Sequence, residues 1–109
     1  MNVKNQVAFY NMLASKGNFE IIKSLVKSNK PLQFKDFKIL NNTKRDGKFS
    51  TRTISASIKE LESLNLIKNV IIKNNNKKLV GYEITKKGEL TYIILKETQN
   101  KIKLLEKDF

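Results

Sequence analysis

The sequence contains no cysteine and no histidine. This excludes disulfide bonds, zinc sites built on thiolates, cysteine nucleophiles and histidine general bases. The four glycines are isolated from one another, so there is no glycine-rich phosphate-binding loop. No apolar run approaches the roughly 18 residues that a membrane span needs, and the N-terminus lacks a signal-peptide core. We therefore expect a cytoplasmic protein that is not an enzyme, makes no membrane contact, and uses no metal and no cofactor.

The chain is strongly basic. Its 109 residues include 22 Lys or Arg and 10 Asp or Glu, which gives a formal net charge of +12. Residues 1–82 contain 16 basic and five acidic side chains, whereas residues 83–109 contain six and five. A coat of solubilising lysines is one interpretation. The concentration of charge in the first part of the chain instead favours a polyanionic partner, and nucleic acid is the obvious one.

The N-terminal half has the apolar spacing of helices. The spacing of apolar residues over residues 1–16 predicts a first helix. Gly17 is placed to end this helix, and Asn18 is placed to cap a second one. A very short strand is compatible with residues 32–34, and a third helix is predicted over residues 35–42. The core stripe of the second helix is formed by Phe19, Ile22, Leu25 and Val26.

The most informative segment is residues 50–64. Ser50 is a good N-cap, and Phe49 and Ile54 are spaced for a hydrophobic staple. Asn65 tolerates the left-handed conformation that ends a helix. The predicted buried stripe consists of Ile54, Ile58, Leu61 and Leu64. The predicted opposite face presents small or basic side chains, namely Arg52, Ser55, Ala56 and Lys59. A helix with such a face suits insertion into a groove.

Beyond Leu66 the hydrophobic period changes to two. Val70 and Ile72 share one side of a first strand, and a second strand repeats the alternation at Val80, Tyr82 and Ile84. The basic, asparagine-rich stretch 73–78 between them predicts a β-hairpin with a positively charged tip. A long helix is then predicted to start after Thr85 as its N-cap, and it is apolar over a wider arc than one core contact requires.

This element order is that of a winged helix-turn-helix. The fold class we expect is α+β, mostly α, in one domain of 109 residues with a two-stranded wing. Two stretches also resemble a known family: Ser50-x-x-Thr53-Ile54-Ser55-x-x-Ile58-Lys59-x-Leu61-Glu62-x-x-Asn65-Leu66-Ile67 and Tyr82-Glu83-Ile84-Thr85-Lys86-Lys87-Gly88. Together with residues 19–25 and 34–40 they are similar to the MarR superfamily of transcriptional regulators, and within it to the HxlR type.

The resemblance covers residues 16–95 and implies a symmetric dimer with one recognition helix on each half-site. Two features depart from the pattern. Asn65 stands where those families usually have glycine, and the loop 43–48 looks a few residues longer than usual. Redox sensing through cysteine, which some members use, cannot carry over to this chain. We expect double-stranded DNA and a second copy of the chain as partners, with no small-molecule effector assigned.

The predicted DNA contacts fall into three groups. The recognition helix, residues 50–64, is expected to lie in the major groove and the wing, residues 68–85, on the backbone or minor groove. On the helix we assign Ser50, Thr51, Arg52, Thr53, Ser55, Ala56 and Lys59. In the preceding loop we assign Lys44, Arg45 and Lys48, and at the wing tip Lys73, Lys77 and Lys78.

The dimer interface is predicted on the two terminal helices, residues 1–16 and 86–107, because each carries more apolar surface than its own domain can cover. The residues assigned to it are Val7, Phe9, Tyr10, Leu13, Leu90, Ile94, Ile102 and Leu105.

Two other functions fit the same fold. A basic chromatin or architectural protein would bind DNA without sequence preference, and the predominance of lysine over arginine suits it. A winged-helix protein-interaction module is the second alternative, and the positive charge argues against it. An enzyme is the least favoured reading, because the carboxylates are scattered and Glu60 and Glu62 look like solvent-side helix charges.

Overall fold

The computed structural model describes residues 10–13, 17–40 and 47–107. Residues 10–13 are helical. The further elements are α1 (Asn18–Ser28), α2 (Phe34–Phe37), α3 (Thr51–Ser63), β1 (Ile67–Asn74), β2 (Lys77–Ile84) and α4 (Lys86–Lys107). This is a mostly helical α+β architecture with an antiparallel hairpin and a long C-terminal helix, which confirms the predicted fold class. Within the described ranges no helix is both long enough and apolar enough to cross a membrane.

The apolar stripes predicted from the sequence form one core between α1, α3 and the start of α4. On α3, Ile54, Ile58 and Leu61 are buried and Leu64 is half-buried, as the spacing predicts. Fully burying an aliphatic side chain of this size contributes about 1.5–3 kcal/mol, so the stripe fixes which side of α3 turns inward. Among the residues that the structure describes, the other buried hydrophobic ones are Leu13, Ile21, Ile22, Leu25, Phe37, Phe49, Leu66, Ile67 and Leu95.

The start of α1 differs from the prediction that Asn18 caps it. Gly17 occupies the N-cap position, and Asn18 is the first helical residue and completely buried. Its Nδ2 donates to the backbone oxygen of Met12 at 3.0 Å and to Glu60 Oε1 at 2.8 Å. The amide side chain is therefore used to join α1 to α3 instead of satisfying the end of its own helix.

The third helix is shorter than predicted. It spans Phe34–Phe37, whereas the sequence pattern predicts a helix over residues 35–42, of which 41 and 42 lie outside the described residues. Its start is held by Asp36, whose Oδ2 accepts from the backbone N–H of Gln33 at 2.8 Å. After Phe37 the chain closes a tight turn, in which Leu40 N–H donates to the Phe37 carbonyl at 3.1 Å.

The carboxylates of α3 are not solvent-side charges, which corrects the prediction for Glu60 and Glu62. Both side chains are half-buried. Glu60 accepts from Asn18 as described above, and Glu62 Oε2 accepts from Asn69 Nδ2 on β1 at 2.5 Å. Buried Ser57 adds a third bond of this kind, since its Oγ accepts from the Gly17 N–H at 3.3 Å. These bonds fix α3 between α1 and the hairpin.

The segment between α3 and the hairpin also anchors α4. Asn65 ends α3 in the predicted left-handed conformation, with φ of 61°. The Thr85 N–H donates to the Leu66 carbonyl at 3.0 Å, and the predicted cap is confirmed because Gly88 N–H donates to Thr85 Oγ1 at 3.0 Å. Lys87 Nζ donates to the Leu64 carbonyl at 2.9 Å. The base of the hairpin and the start of α4 therefore share one hydrogen-bonded junction.

The hairpin is the predicted wing. Its strands pair from Ile67 opposite Ile84 to Asn74 opposite Lys77, and the two-residue turn consists of Asn75 and Asn76. The φ values of 50° and 67° at this turn are the left-handed ones that asparagine tolerates. The short third strand predicted at residues 32–34 is present as one bridge, between Leu32 and Tyr82. Val80 shares the face of Tyr82 and Ile84, but it lies beyond the body of the domain and is exposed.

Candidate nucleic-acid interface

The outer face of α3 has the composition predicted for it. Arg52, Ala56 and Lys59 are exposed, and Thr53 and Ser55 are half-buried. Glu60 and Glu62 are half-buried and accept hydrogen bonds from asparagines on neighbouring elements, so the exposed charged side chains of this face are Arg52 and Lys59. The side chains between them are small. The exposed charges of the face are therefore positive, and its small side chains let a groove approach the helix closely.

The N-terminus of α3 is held by Ser50. Its Oγ accepts from the Thr53 N–H at 3.1 Å and lies 2.9 Å from Thr53 Oγ1, while its carbonyl accepts from the Ile54 N–H at 3.1 Å. The amides of Thr51 and Arg52 precede these bonds, and helix geometry gives them no intrahelical acceptor. Thr51 and Arg52 are both exposed residues, so their two N–H groups at the positive end of the helix are a suitable place for a phosphate oxygen.

The wing tip carries three exposed lysines. Lys73 and Lys78 are directly opposite each other in the strand register, and Lys77 is opposite Asn74 on the other face of the hairpin. Each strand has eight residues, or about 26 Å of extended chain, so the tip is well separated from the core. Lys68, near the base, is paired with Glu83 at 3.2 Å. The free positive charge of the hairpin is thus concentrated at its tip.

The loop before α3 is described only in part. Lys44 and Arg45 lie outside the described residues. Lys48 is exposed, and its Nζ donates to the Ile39 carbonyl at 2.9 Å. This bond joins the approach to α3 to the end of the α2 turn. The ammonium group predicted for a phosphate contact therefore also has a structural role in the free protein.

Tyr82 connects the wing to the helix-turn-helix. Its ring lies 6.1 Å from the ring of Phe37 on α2, in a tilted arrangement. Burial, and to a smaller extent the negative charge of Glu62, raises the pKa of the Tyr82 phenol above its usual value of 10. The phenol is therefore neutral at physiological pH and adds no negative charge to the side of the hairpin that faces α3.

The residues predicted for a dimer interface differ in how exposed they are in the structure. Leu90, Ile94, Ile102 and Leu105 are all exposed on α4, together with two apolar residues that the predicted interface does not include, Ile93 and Leu104. Tyr10 is half-buried. Leu13 is only 1% exposed and belongs to the core of its own chain, which leaves it little surface for a partner. Val7 and Phe9 lie outside the described residues.

Sequence reasoning missed the residues that hold this surface in place. Asn18, Ser57 and Asn69 position α3 through side-chain hydrogen bonds to other elements. Asparagine after glycine at a helix start has the same sequence signal as an N-cap, so nothing local distinguishes the two roles. Ser57 carries one usable signal, because helical spacing places it between Leu61 and Leu64 on the inward side of the helix.

No protein-family model matches the chain, and no curated protein matches it. Among solved structures, it is similar to the reduced form of the transcriptional regulator YodB from B. subtilis, with a TM-score of 0.65 and 24% identity over 92% of this chain and 89% of that one. The diamide-treated form of YodB gives a TM-score of 0.66 and 23% identity over 92% of this chain and 90% of that one. A PadR family transcription regulator from hypervirulent Clostridium difficile R20291 gives a TM-score of 0.67 and 21% identity over 84% of this chain and 94% of that one. The chain therefore has the winged-helix fold of these regulators.

Proposed function

We propose that this protein is a transcriptional regulator that binds specific sequences in double-stranded DNA. In this proposal α3 lies in the major groove and the hairpin contacts the backbone or minor groove. One observation carries it: α3 exposes Arg52 and Lys59 on a face of small side chains, its two carboxylates are half-buried, and a lysine-tipped hairpin follows. The likeness of fold to solved transcriptional regulators supports the same function.

Affinity and specificity come from different residues. Lys73, Lys77 and Lys78 neutralise phosphates and release counterions, which strengthens binding to every sequence. Arg52 reads sequence, because a guanidinium can donate to O6 and N7 of one guanine together. The free amides at Thr51 and Arg52 hold a phosphate and fix the depth at which α3 enters the groove.

The protein acts as a homodimer in this proposal. Helix α4 has 22 residues and is about 33 Å long, but Leu95 is its last buried residue. Beyond it Ile102, Leu104 and Leu105 are exposed, and a second copy of α4 would cover them. We also place the chain in the HxlR type of the MarR superfamily on the residue pattern of α3 and its flanks. A dimer puts two recognition helices about 34–36 Å apart, one turn of DNA.

Light scattering at micromolar concentration tests the dimer directly. The proposal predicts twice the 12.6 kDa mass of one chain. A mass of one chain over that concentration range would contradict it.

Substitutions on α3 and the wing test the DNA-binding surface. Arg52→Ala should weaken binding to the preferred site by about 1–3 kcal/mol and relax the preference at one base pair, since it removes a contact with base edges. Lys77→Ala with Lys78→Ala should weaken all sequences alike and reduce the slope of log K against log salt by about 1–2, because each phosphate contact contributes about 0.9.

The matched control is Lys27→Ala with Lys30→Ala, which removes the same charge from exposed positions on and after α1. It should leave the salt slope nearly unchanged. An equal effect of the control and the wing variant would mean that only net charge matters. Uniform weakening by Arg52→Ala across all sequences would favour the architectural alternative.

A further inference from the structure

The wing carries an exposed apolar pair that no core contact explains. Ile71 is 63% exposed and Val80 is 55% exposed, and the two are directly opposite each other in the strand register. Opposed residues in an antiparallel pair lie on the same face of the hairpin. The two side chains therefore form one continuous apolar projection on the surface of the wing.

The register shows which face carries this pair. Side chains alternate along each strand, so the face of Ile71 and Val80 also carries Asn69 with Tyr82 one step towards the base. Asn69 donates to Glu62 of α3, and the Tyr82 ring meets α2, so this face turns towards the helix-turn-helix at its base. The apolar pair is the continuation of that face beyond the body of the domain.

The next step of the register towards the tip is Lys73 opposite Lys78, both exposed. The apolar pair is thus bordered by two positive charges on its own face. A second copy of this hairpin would bring four lysines together, which disfavours self-association through this face. The minor groove of a duplex matches it, because the groove has phosphates at its rims and sugars along its walls, and apolar base faces become accessible where a base step opens.

We propose that Ile71 and Val80 form a wedge that enters the minor groove of DNA while Lys73 and Lys78 bind the phosphates on its rims. This proposal rests on the DNA-binding function above and specifies how the wing contributes to it. Apolar side chains inserted at a base step partly unstack it and kink the duplex. Pyrimidine–purine steps such as TpA unstack most easily, so the wedge adds a preference for such a step in the flank of the site.

The experiment uses a 30-base-pair A·T duplex in which 2-aminopurine replaces adenine at TpA steps, since its fluorescence rises when the base unstacks. The full chain is titrated at low salt while anisotropy reports binding. The wild type should bind and raise the fluorescence. Ile71→Thr with Val80→Thr should abolish the rise and weaken binding about tenfold, with an unchanged salt slope because no phosphate contact is lost.

Two variants control for the fold and for general apolar loss. Threonine is β-branched and favours strands, so the double variant should keep the hairpin, and exchanging the pair as Ile71→Val with Val80→Ile should keep the fluorescence rise. Ile39→Thr removes an isoleucine that is 67% exposed outside the hairpin, and it should also keep the rise.

Failure of the wedge is distinguishable from failure of the proposed function. Binding of the wild type without a fluorescence rise, or an equal rise with the double threonine variant, would overturn the wedge and leave DNA binding intact. Loss of the rise with Ile39→Thr as well would also count against the wedge. Absence of any binding by the wild type at low salt would overturn both proposals.

Discussion

Adding a single methyl group at Gly88 should lower the free energy of unfolding substantially. A Cβ built there would clash with the Leu66 backbone oxygen and lie 2.6 Å from Ile84 Cγ1. Leu66 cannot simply move away, because its carbonyl accepts from the N–H of Thr85 at 3.0 Å and from Thr85 Oγ1 at 3.1 Å. Gly88→Ala therefore requires a shift between the start of α4 and the base of the wing.

The magnitude follows from three contributions. Overpacking of this kind costs about 1–3 kcal/mol. Weakening the hydrogen bonds at the Leu66 carbonyl costs about 1 kcal/mol more. Alanine is better than glycine in a helix by about 1 kcal/mol, which offsets part of the loss. The net expectation is a loss of about 2 kcal/mol, or about 8–10 °C in Tm for a domain of this size.

Thermal unfolding followed by circular dichroism measures this, at one fixed protomer concentration because the Tm of the proposed dimer would depend on it. Gly17→Ala is the matched control, since a Cβ there would lie at ordinary contact distances of 3.6 Å from Ser57 Oγ and 3.7 Å from the Phe49 ring. It should change stability by less than about 1 kcal/mol. If Gly88→Ala were as stable as Gly17→Ala, the close approach of α4 to Leu66 would be refuted.

Three further predictions concern the cap, the wing base and α4. Ser50→Ala removes the acceptor for the Thr53 N–H and should cost about 1 kcal/mol in urea unfolding, and an unchanged midpoint would contradict the cap. The pKa of the Tyr82 phenol is raised in the folded state, so the phenol's contribution to the free energy of unfolding is complete below pH 10 and is lost as the pH rises through the raised value. Between pH 9 and 11 the free energy of unfolding of Tyr82→Phe should therefore fall less than that of the wild type. Parallel curves of unfolding free energy against pH for the two proteins would refute this. Ile102→Ser with Leu105→Ser should shift the light-scattering mass towards a monomer while the circular dichroism stays folded, and a persistent dimer would place the interface elsewhere.

The parts of the fold that periodicity governs could be predicted from the sequence. The inward and outward sides of α3 follow from the spacing of its aliphatic residues, and the end of that helix follows from the conformational tolerance of Asn65. The start of α4 follows from Thr85, whose side chain can accept a helix-terminal N–H. Each of these depends on residues close together in the chain, so a local pattern contains the information.

The parts that depend on distant residues could not be predicted. Glu60 looked like a solvent-side charge because its partner, Asn18, is 42 residues away. The burial of a wing residue depends on where the body of the domain ends. The alternation of hydrophobic residues therefore predicts which face of the hairpin Val80 lies on, but it does not predict that Val80 is exposed. Leu13 and the exposed residues of α4 share the same apolar character, and only packing separates the core residue from the surface.

Selection of bound sequences from a pool of random duplexes, with the full chain, tests the central claim most directly. We predict enrichment of a pseudo-palindromic site whose half-sites are 10–10.5 base pairs apart. Each half-site should contain a guanine, and the preference for that guanine should be lost with Arg52→Ala. A pool that is retained without enrichment of any sequence, or that is not retained at low salt, would contradict it.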